Sequence, residues 1–374
     1  MAARIDVGVL GATGVVGQQL VSMLDGHPWF RVAWLAASER SAGKRYGELP
    51  WRLASPQPAD AARLTIAPLD PADAPAIVFS ALDAAVAGQA EMAFAASGRY
   101  VVSNARNHRL DPLVPLLIPE VNPAHLDLLR EQQRERAWTG GIVTNPNCST
   151  VFVAMVLAAL AEFRPSRVLV TTLQALSGAG YPGVAALDIV GNVIPHIAGE
   201  EEKIERETRK ILGRVEAAQI VDAPLVLSAQ TTRVAVHDGH TALISVSLDA
   251  EPSLDDVRAA LASFRGPQDV AALPGAPAAP IAVAEAADRP QPRLDVWASG
   301  GMTVTCGRVR ACPVLGYKLV ALGHNTVRGA AGAALLNAEL LVTREHRLRP
   351  TAAEAVCPSQ ARAMDTSRET LSPA

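Results

Sequence analysis

The feature that most constrains the fold lies at the N-terminus, where the apolar run IDVGVL at 5–10 passes directly into GATGVVG and then into QQLVSMLDGHP. A short apolar strand, a glycine-rich turn and a helical stretch, in that order, open a dinucleotide-binding unit. Gly11, Gly14 and Gly17 permit a tight turn, approach of a pyrophosphate to backbone N–H groups, and close packing of the helix. A glycine triplet alone is also what an ordinary strand–helix turn contains; its position after a first strand and before a first helix carries the inference. Cofactor contacts are expected from Gly11, Thr13, Gly14, Val15 and Val16.

Further strands are expected at 31–37, 76–82 and 100–103, with helix-like segments such as AGQAEMAFAASG between them. That alternation implies a parallel sheet of Rossmann type. The second strand ends in WLAASERSAGK, where an NAD-specific site usually carries an acidic residue for the ribose hydroxyls. Ser38, Arg40 and Ser41 offer hydroxyls and a guanidinium instead, although Glu39 lies among them. This set suits a 2′-phosphate and therefore NADP(H), with Ser80 expected beside the cofactor as well.

Cys148 sits in TNPNCSTVFVAMVLAAL. Asn145, Pro146 and Asn147 read as a turn, and the apolar residues behind read as a helix, so the cysteine lies at a helix N-terminus. The partial positive charge there is expected to lower the thiol pKa. A single cysteine before an apolar helix is more commonly a small buried residue.

A chain of 374 residues with 49% hydrophobic content can build two cores. After the Cys148 helix the pattern changes to β-rich runs: VLVTTLQAL, APLVLSAQTTRVAV and TALISVSLD, separated by EEEKIERETRKILG and DDVRAALASFRG. The fold class is thus α/β: a Rossmann-type cofactor domain at 1–147 and an α+β catalytic and dimerisation domain at 148–324 with a mostly antiparallel sheet. A helix at 325–345 is expected to return to the first domain. AALPGAPAAPIAV reads as a loop, and the polar, aperiodic segment 350–374 as a disordered tail.

Composition narrows the partners. Lys plus Arg number 34 against 37 Asp plus Glu, so no global basic field draws in nucleic acid or an anionic membrane. Cysteines at 148, 306, 312 and 357 are too few and too irregular for a disulfide scaffold or a spaced metal site. Cys306 and Cys312 lie in strand-like runs and read as core residues, and Cys357 as an incidental exposed thiol. The N-terminus enters a strand without an apolar signal core, and the expected location is cytoplasmic.

A cysteine nucleophile beside a nicotinamide points to hydride exchange between an aldehyde and an acyl thioester, chemistry that needs an acid/base. His237 and His240, in TTRVAVHDGHTALISVSL, are the candidates, and spacing does not choose between them.

Taken together, GATGVVG, SNARNHRLDPLVPLLIPEVNP, TNPNCST, QALSGAGYPGV, GEEEKIERETRKILG, RVAVHDGHT, RPQPRLD and GHNTVRGAAG resemble the aspartate-β-semialdehyde dehydrogenases, specifically the archaeal and fungal branch. The resemblance extends to about residue 343. It implies that Cys148 is the nucleophile and that the acid/base is the histidine seven residues after Arg233, which is His240. Gln174 would orient the acyl group and Asn147 would border the oxyanion. Arg233 would clamp the substrate carboxylate, Glu200 its amino group, and Lys203 and Arg109 the phosphate. Glu201 and Glu202 leave the Glu200 register open, and Arg106 rivals Arg109. Ser177 and Gly178 would approach the nicotinamide, and Asn325 its carboxamide.

The implied reaction is NADP-dependent reductive dephosphorylation of L-4-aspartyl phosphate, in a homodimer or homotetramer serving lysine, threonine and methionine biosynthesis. Rival readings are a related acyl reductase acting on malonyl-CoA or N-acetylglutamyl phosphate, the same activity in a specialised pathway, and a non-catalytic NADP-binding protein. A degenerate copy would be expected to lose one of Cys148, Gln174, Arg233 or His240, and all four are present.

Overall fold

The computed structural model describes residues 4–345 and Leu348. The segment 350–374, expected to be disordered, and Cys357 lie outside the described residues.

Six parallel strands form the first sheet: β1 (Ile5–Leu10), β2 (Phe30–Ala36), β3 (Ile66–Ala67), β4 (Ile77–Ser80), β5 (Tyr100–Ser103) and β6 (Gly141–Thr144), in the order β3-β2-β1-β4-β5-β6. β4, β5 and β6 are buried along their whole length, which is why they read as continuous apolar runs rather than as alternating ones. β3 and β6 were not expected from the sequence; β3, with two residues, gives no period to count. Helices Val15–Leu24 and Ala84–Ala96 connect the strands.

Helix Cys148–Ala159 follows β6 and leads to a second sheet. Its strands are β7 (Pro165–Gln174), β10 (Val226–Arg233), β11 (His240–Leu248), β12 (Ile281–Ala284), β13 (Val304–Cys312) and β14 (Gly316–Gly323). A small hairpin, β8 (Arg214–Glu216) and β9 (Gln219–Val221), stands apart. The order is β10-β7-β11-β14-β13-β12. Three of its five pairings are antiparallel, while β10 with β7 and β12 with β13 are parallel, so the sheet is mixed. The Ala/Pro-rich stretch expected to be all loop ends in β12, an edge strand where its prolines precede the ladder.

Helix Cys148–Ala159 lacks an amphipathic period because it is buried nearly all round, between the second sheet and Leu116 and Ile118. The terminal segment is a π-helical turn, Val327–Ala331, continuing into helix Gly332–Arg344. Its Val327, Ala334, Leu335, Leu336 and Leu341 enter the core of the first sheet with Val7, Val9, Leu20 and Phe79. Among the described residues no helix is long and apolar enough to cross a membrane.

Candidate active site

The second sheet brings three sequence-predicted residues to one edge by register alone. Gln174 ends β7 and pairs with Arg233, which ends the parallel strand β10. His240 begins β11, antiparallel to β7, so its N-terminal end lies at the same edge, opposite Gly323 at the end of β14. Asn325 follows β14 at that edge. Cys148 faces this row from the N-terminus of a helix that packs across the sheet. A Cβ on Gly323 would fall 2.1 Å from the Phe152 ring, a measure of how closely helix and strand approach.

Asn147 is the helix N-cap. Its Oδ1 accepts from the N–H groups of Ser149 (3.0 Å) and Thr150 (3.3 Å), and its Nδ2 donates to Glu200 Oε2 at 2.7 Å. Its oxygen is therefore engaged in capping and one of its two amide hydrogens in the bond to Glu200. Glu200 begins helix Glu200–Ile211, with Lys203 Nζ at 2.5 Å and Gln174 Nε2 at 3.4 Å. Burial alone would raise the Glu200 pKa, but the Lys203 ammonium and the hydrogen bonds from Lys203, Asn147 and Gln174 outweigh it, so the carboxyl is held below its usual value. The register left open by three consecutive glutamates separates here: Glu201 accepts from Thr231 N–H at 3.0 Å on β10, and Glu202 faces solvent.

The thiol departs from expectation. Burial pushes the Cys148 pKa up to about 12, with the Glu200 carboxylate adding to the rise. Arg109, the Ser149 N–H and Arg233 pull in the other direction but do not prevail. The helix N-terminus is present; desolvation and a neighbouring anion outweigh its partial charge.

His240 is 1% exposed, whereas the side chain of His237 is 91% exposed and pairs with Asp238. His240 Nδ1 accepts from Ala175 N–H at 3.0 Å, so the neutral ring carries its proton on Nε2. Nε2 is buried and has no partner among the described residues. Burial, with Arg233 and His324 nearby, lowers the pKa to about 3. In this tautomer Nε2 is a free donor, of the kind that suits a developing oxyanion. A Cβ on Gly178 would lie 2.8 Å from the His240 ring and 2.9 Å from Arg233 Nη1, so this loop must be glycine to close over the site. Arg233 Nη1 donates to Ala175 O at 2.7 Å.

Arg109 is buried and Arg106 exposed. Arg109 Nη1 donates to Glu207 Oε1 at 3.1 Å and Nη2 to Asn104 O at 2.7 Å. Glu207 was not singled out from sequence, although its spacing of seven from Glu200 places it on the same helix face. Gly329, whose added Cβ would lie 2.5 Å from Cys148 Cβ, was also missed; glycines in a helical run carry no mark of what they touch.

The cofactor residues divide. Gly11 has φ +73°, and a Cβ on Gly17 would lie 2.3 Å from Gly11 O, so both glycines are required by the turn. Gly14 is the N-cap of helix Val15–Leu24 with no side-chain cap, which leaves the N-terminus beside Thr13, Val15 and Val16 without a built-in acceptor. Ser38 and Arg40 are exposed after β2, with Ser41 N–H turned back onto Ser38 O at 2.8 Å, and Arg40 makes no ion pair among the described residues. Ser80 is fully buried, and its hydroxyl donates to Glu91 at 2.6 Å. Asn325 accepts from Gly239 N–H at 2.9 Å and donates to Ser177 Oγ at 2.8 Å, tying the two loops of the site together.

The chain is similar to known proteins over most of its length. The family model described as semialdehyde dehydrogenase, NAD binding domain, matches residues 6–129, and that described as semialdehyde dehydrogenase, dimerisation domain, matches residues 157–328. The aspartate-semialdehyde dehydrogenase of Archaeoglobus fulgidus is 49% identical over 341 residues, covering 91% of this chain and 98% of that protein. The aspartate-semialdehyde dehydrogenase of Cryptococcus neoformans is 47% identical over 357 residues, covering 91% and 98%. The solved structure of the Candida albicans aspartate semialdehyde dehydrogenase with NADP matches with a TM-score of 0.85 at 39% identity, covering 91% of this chain and 99% of that one. Sheet order and matched domains define the class, a two-part semialdehyde dehydrogenase with a dinucleotide-binding fold. Within that class the chain belongs to the aspartate-semialdehyde dehydrogenase family, whose archaeal and fungal members it matches over nine-tenths of its length.

Proposed function

We propose that the protein converts L-4-aspartyl phosphate to L-aspartate 4-semialdehyde and phosphate through a Cys148 thioester, with NADPH as reductant. The observation that carries this reading is the convergence of Cys148, His240, Gln174, Arg233, Glu200 and Arg109 on one sheet edge and the helix ends facing it.

An amino-acid acyl phosphate presents an ammonium, a carboxylate and a phosphate. Glu200, held ionised, meets the ammonium; Arg233 clamps the α-carboxylate; Arg109 and Lys203 meet the phosphate. An ammonium against Glu200 cancels one of the two influences that keep the thiol protonated, so substrate binding itself favours the thiolate. Sγ then forms a bond to the acyl carbon, the carbon–oxygen bond to phosphate breaks, the thiol proton leaves with the phosphate as hydrogenphosphate, and a thioester results. Bound NADPH supplies the hydride that reduces it. The turn at Gly11 to Val16 and the uncapped helix behind it fit the pyrophosphate, and exposed Arg40 with Ser38 and Ser41 fits a 2′-phosphate. His240 Nε2–H donates a hydrogen bond to the oxyanion left by hydride transfer; as that oxyanion collapses the carbon–sulfur bond breaks, the semialdehyde leaves and Sγ returns as thiolate, while Gln174 orients the acyl group. Ser177 and Gly178 form the loop over the reacting end, and Asn325 holds that loop. A malonyl-CoA substrate would offer the buried Glu200 carboxylate no ammonium.

The reading carries a division of labour: residues 1–147 with 325–345 hold the cofactor, and 148–324 hold the reacting groups and an interface. A homodimer or homotetramer is supported by Leu169, Leu243 and Val226, which are exposed on one register-aligned face of the second sheet. A cytoplasmic site of action suits a nucleophile that must stay reduced. Aspartate-family amino-acid biosynthesis is the corresponding metabolic role. Cys148→Ala is expected to abolish phosphate-dependent NADP reduction with aspartate semialdehyde while leaving NADP binding intact; retained turnover refutes the assignment.

A further inference from the structure

Helix Glu200–Ile211 turns four charged residues toward the site at 200, 203, 207 and 210, the spacing of a single helical face. Glu200 and Lys203 are accounted for by the substrate. Glu207 is 2% exposed and touches none of the groups assigned to the substrate's amino acid moiety. Its two carboxylate oxygens instead serve two different parts of the site: Oε1 accepts from Arg109 Nη1 at 3.1 Å, and Oε2 accepts from the backbone N–H of Asn147 at 2.6 Å, one residue before the nucleophile. One turn further along, Lys210 Nζ donates to the carbonyl oxygens of Arg109 (2.8 Å), Asp111 (2.8 Å) and Val114 (2.9 Å). The loop that carries Arg109 and the turn that carries Cys148 are therefore both referenced to one helix. A charge-assisted hydrogen bond from a planar guanidinium restricts where the rest of the fork points. With Nη1 on Glu207 and Nη2 on Asn104 O, Arg109 Nε is left buried without a partner.

We propose that Glu207 is a positioning residue that sets Arg109 and the backbone before Cys148 in one register, so that the departing phosphate meets its cation at a defined distance from the nucleophile. This rests on the reading that Arg109 receives phosphate.

The test uses the full-length enzyme with aspartate semialdehyde, NADP and inorganic phosphate. Glu207→Gln preserves volume and one acceptor for the Asn147 N–H but presents a donor to Arg109. Its KM for inorganic phosphate is expected to rise roughly tenfold or more, the usual loss for a hydrogen bond to a charged group, with the KM for semialdehyde and the thermal midpoint near wild type. Combined with Arg109→Lys, the rise should fall short of the product of the single effects, because both changes break one contact. A wild-type phosphate KM in Glu207→Gln, with Arg109→Lys raised, overturns the positioning role alone. An unchanged phosphate KM in Arg109→Lys overturns the reading of Arg109 and this inference with it. A lowered midpoint with uniform loss of kcat and unchanged phosphate KM assigns Glu207 to packing only and also overturns the proposal. Should Glu207→Gln fail to fold, Glu207→Asp, which keeps the charge but reaches only one partner, is read by the same criteria.

Discussion

Gly329→Ala sets two physical effects against each other at the nucleophile. Gly329 lies inside the π-helical turn with an ordinary helical backbone, so helix propensity alone predicts that alanine stabilises by about 1 kcal/mol. The structure predicts the opposite. The new Cβ would lie 2.5 Å from Cys148 Cβ and 3.0 Å from its Cα, nearly 1 Å inside an ordinary carbon contact. Both are held by the first turn of a buried helix, so no flexible side-chain end can yield. Overpacking of this kind costs about 1–3 kcal/mol, enough to cancel or reverse the propensity gain. Relief requires Cys148 to shift by close to 1 Å, and a displacement of that size at a reacting atom lowers turnover by roughly a hundredfold. The assay pairs kcat for phosphate-dependent semialdehyde oxidation with the rate of iodoacetamide alkylation at Cys148, read by mass spectrometry of its peptide so that the other cysteines do not contribute. Wild-type kcat and alkylation together with a raised thermal midpoint would refute the reasoning.

Two further outcomes follow from single groups. His240 is held neutral in the folded state, with a pKa lowered to about 3 against roughly 6.5 in an unfolded chain, so its contribution to stability is complete above about pH 6.5 and is lost as pH falls toward 3. His240→Asn should flatten that acid limb by an amount on the order of a few kcal/mol in denaturant titrations, and an unchanged limb contradicts the buried neutral ring. Arg40→Ala should raise the KM for NADP roughly tenfold or more while leaving that for NAD nearly unchanged, since only the 2′-phosphate loses a partner; equal effects on both cofactors would remove Arg40 from that role.

Much of the cofactor half was legible in the chain because its signals are local. IDVGVL, GATGVVG and the helix behind them are contiguous, and each element carries its own pattern. β3 and β6 were not marked in the sequence, β3 because a run of two residues has no period. In the catalytic half the sequences of β7, β10 and β11 were recognisable, whereas β12 read as loop and the mixed order of the sheet was not legible, since pairing partners are separated by long stretches of chain. The family motifs selected His240 over His237 and Arg109 over Arg106, and burial separates the same pairs. Ser80 was expected beside the cofactor; the structure shows its hydroxyl donating to buried Glu91 at 2.6 Å.

The sequence by itself determined the class of the molecule: a glycine turn placed between a first strand and a first helix, a cysteine at a helix start, and charged residues in the types and order that an amino-acid acyl phosphate requires. What the tertiary structure alone decided is the state of those groups. Cys148 begins a helix whose partial charge should lower its pKa, yet the burial created by the second sheet and the nearness of Glu200 push it up to about 12. His240 becomes a donor because the Ala175 N–H, 65 residues away in sequence, occupies its other nitrogen. Local pattern follows from covalent neighbours, whereas desolvation and Coulomb terms depend on which distant groups the fold brings within a few ångströms.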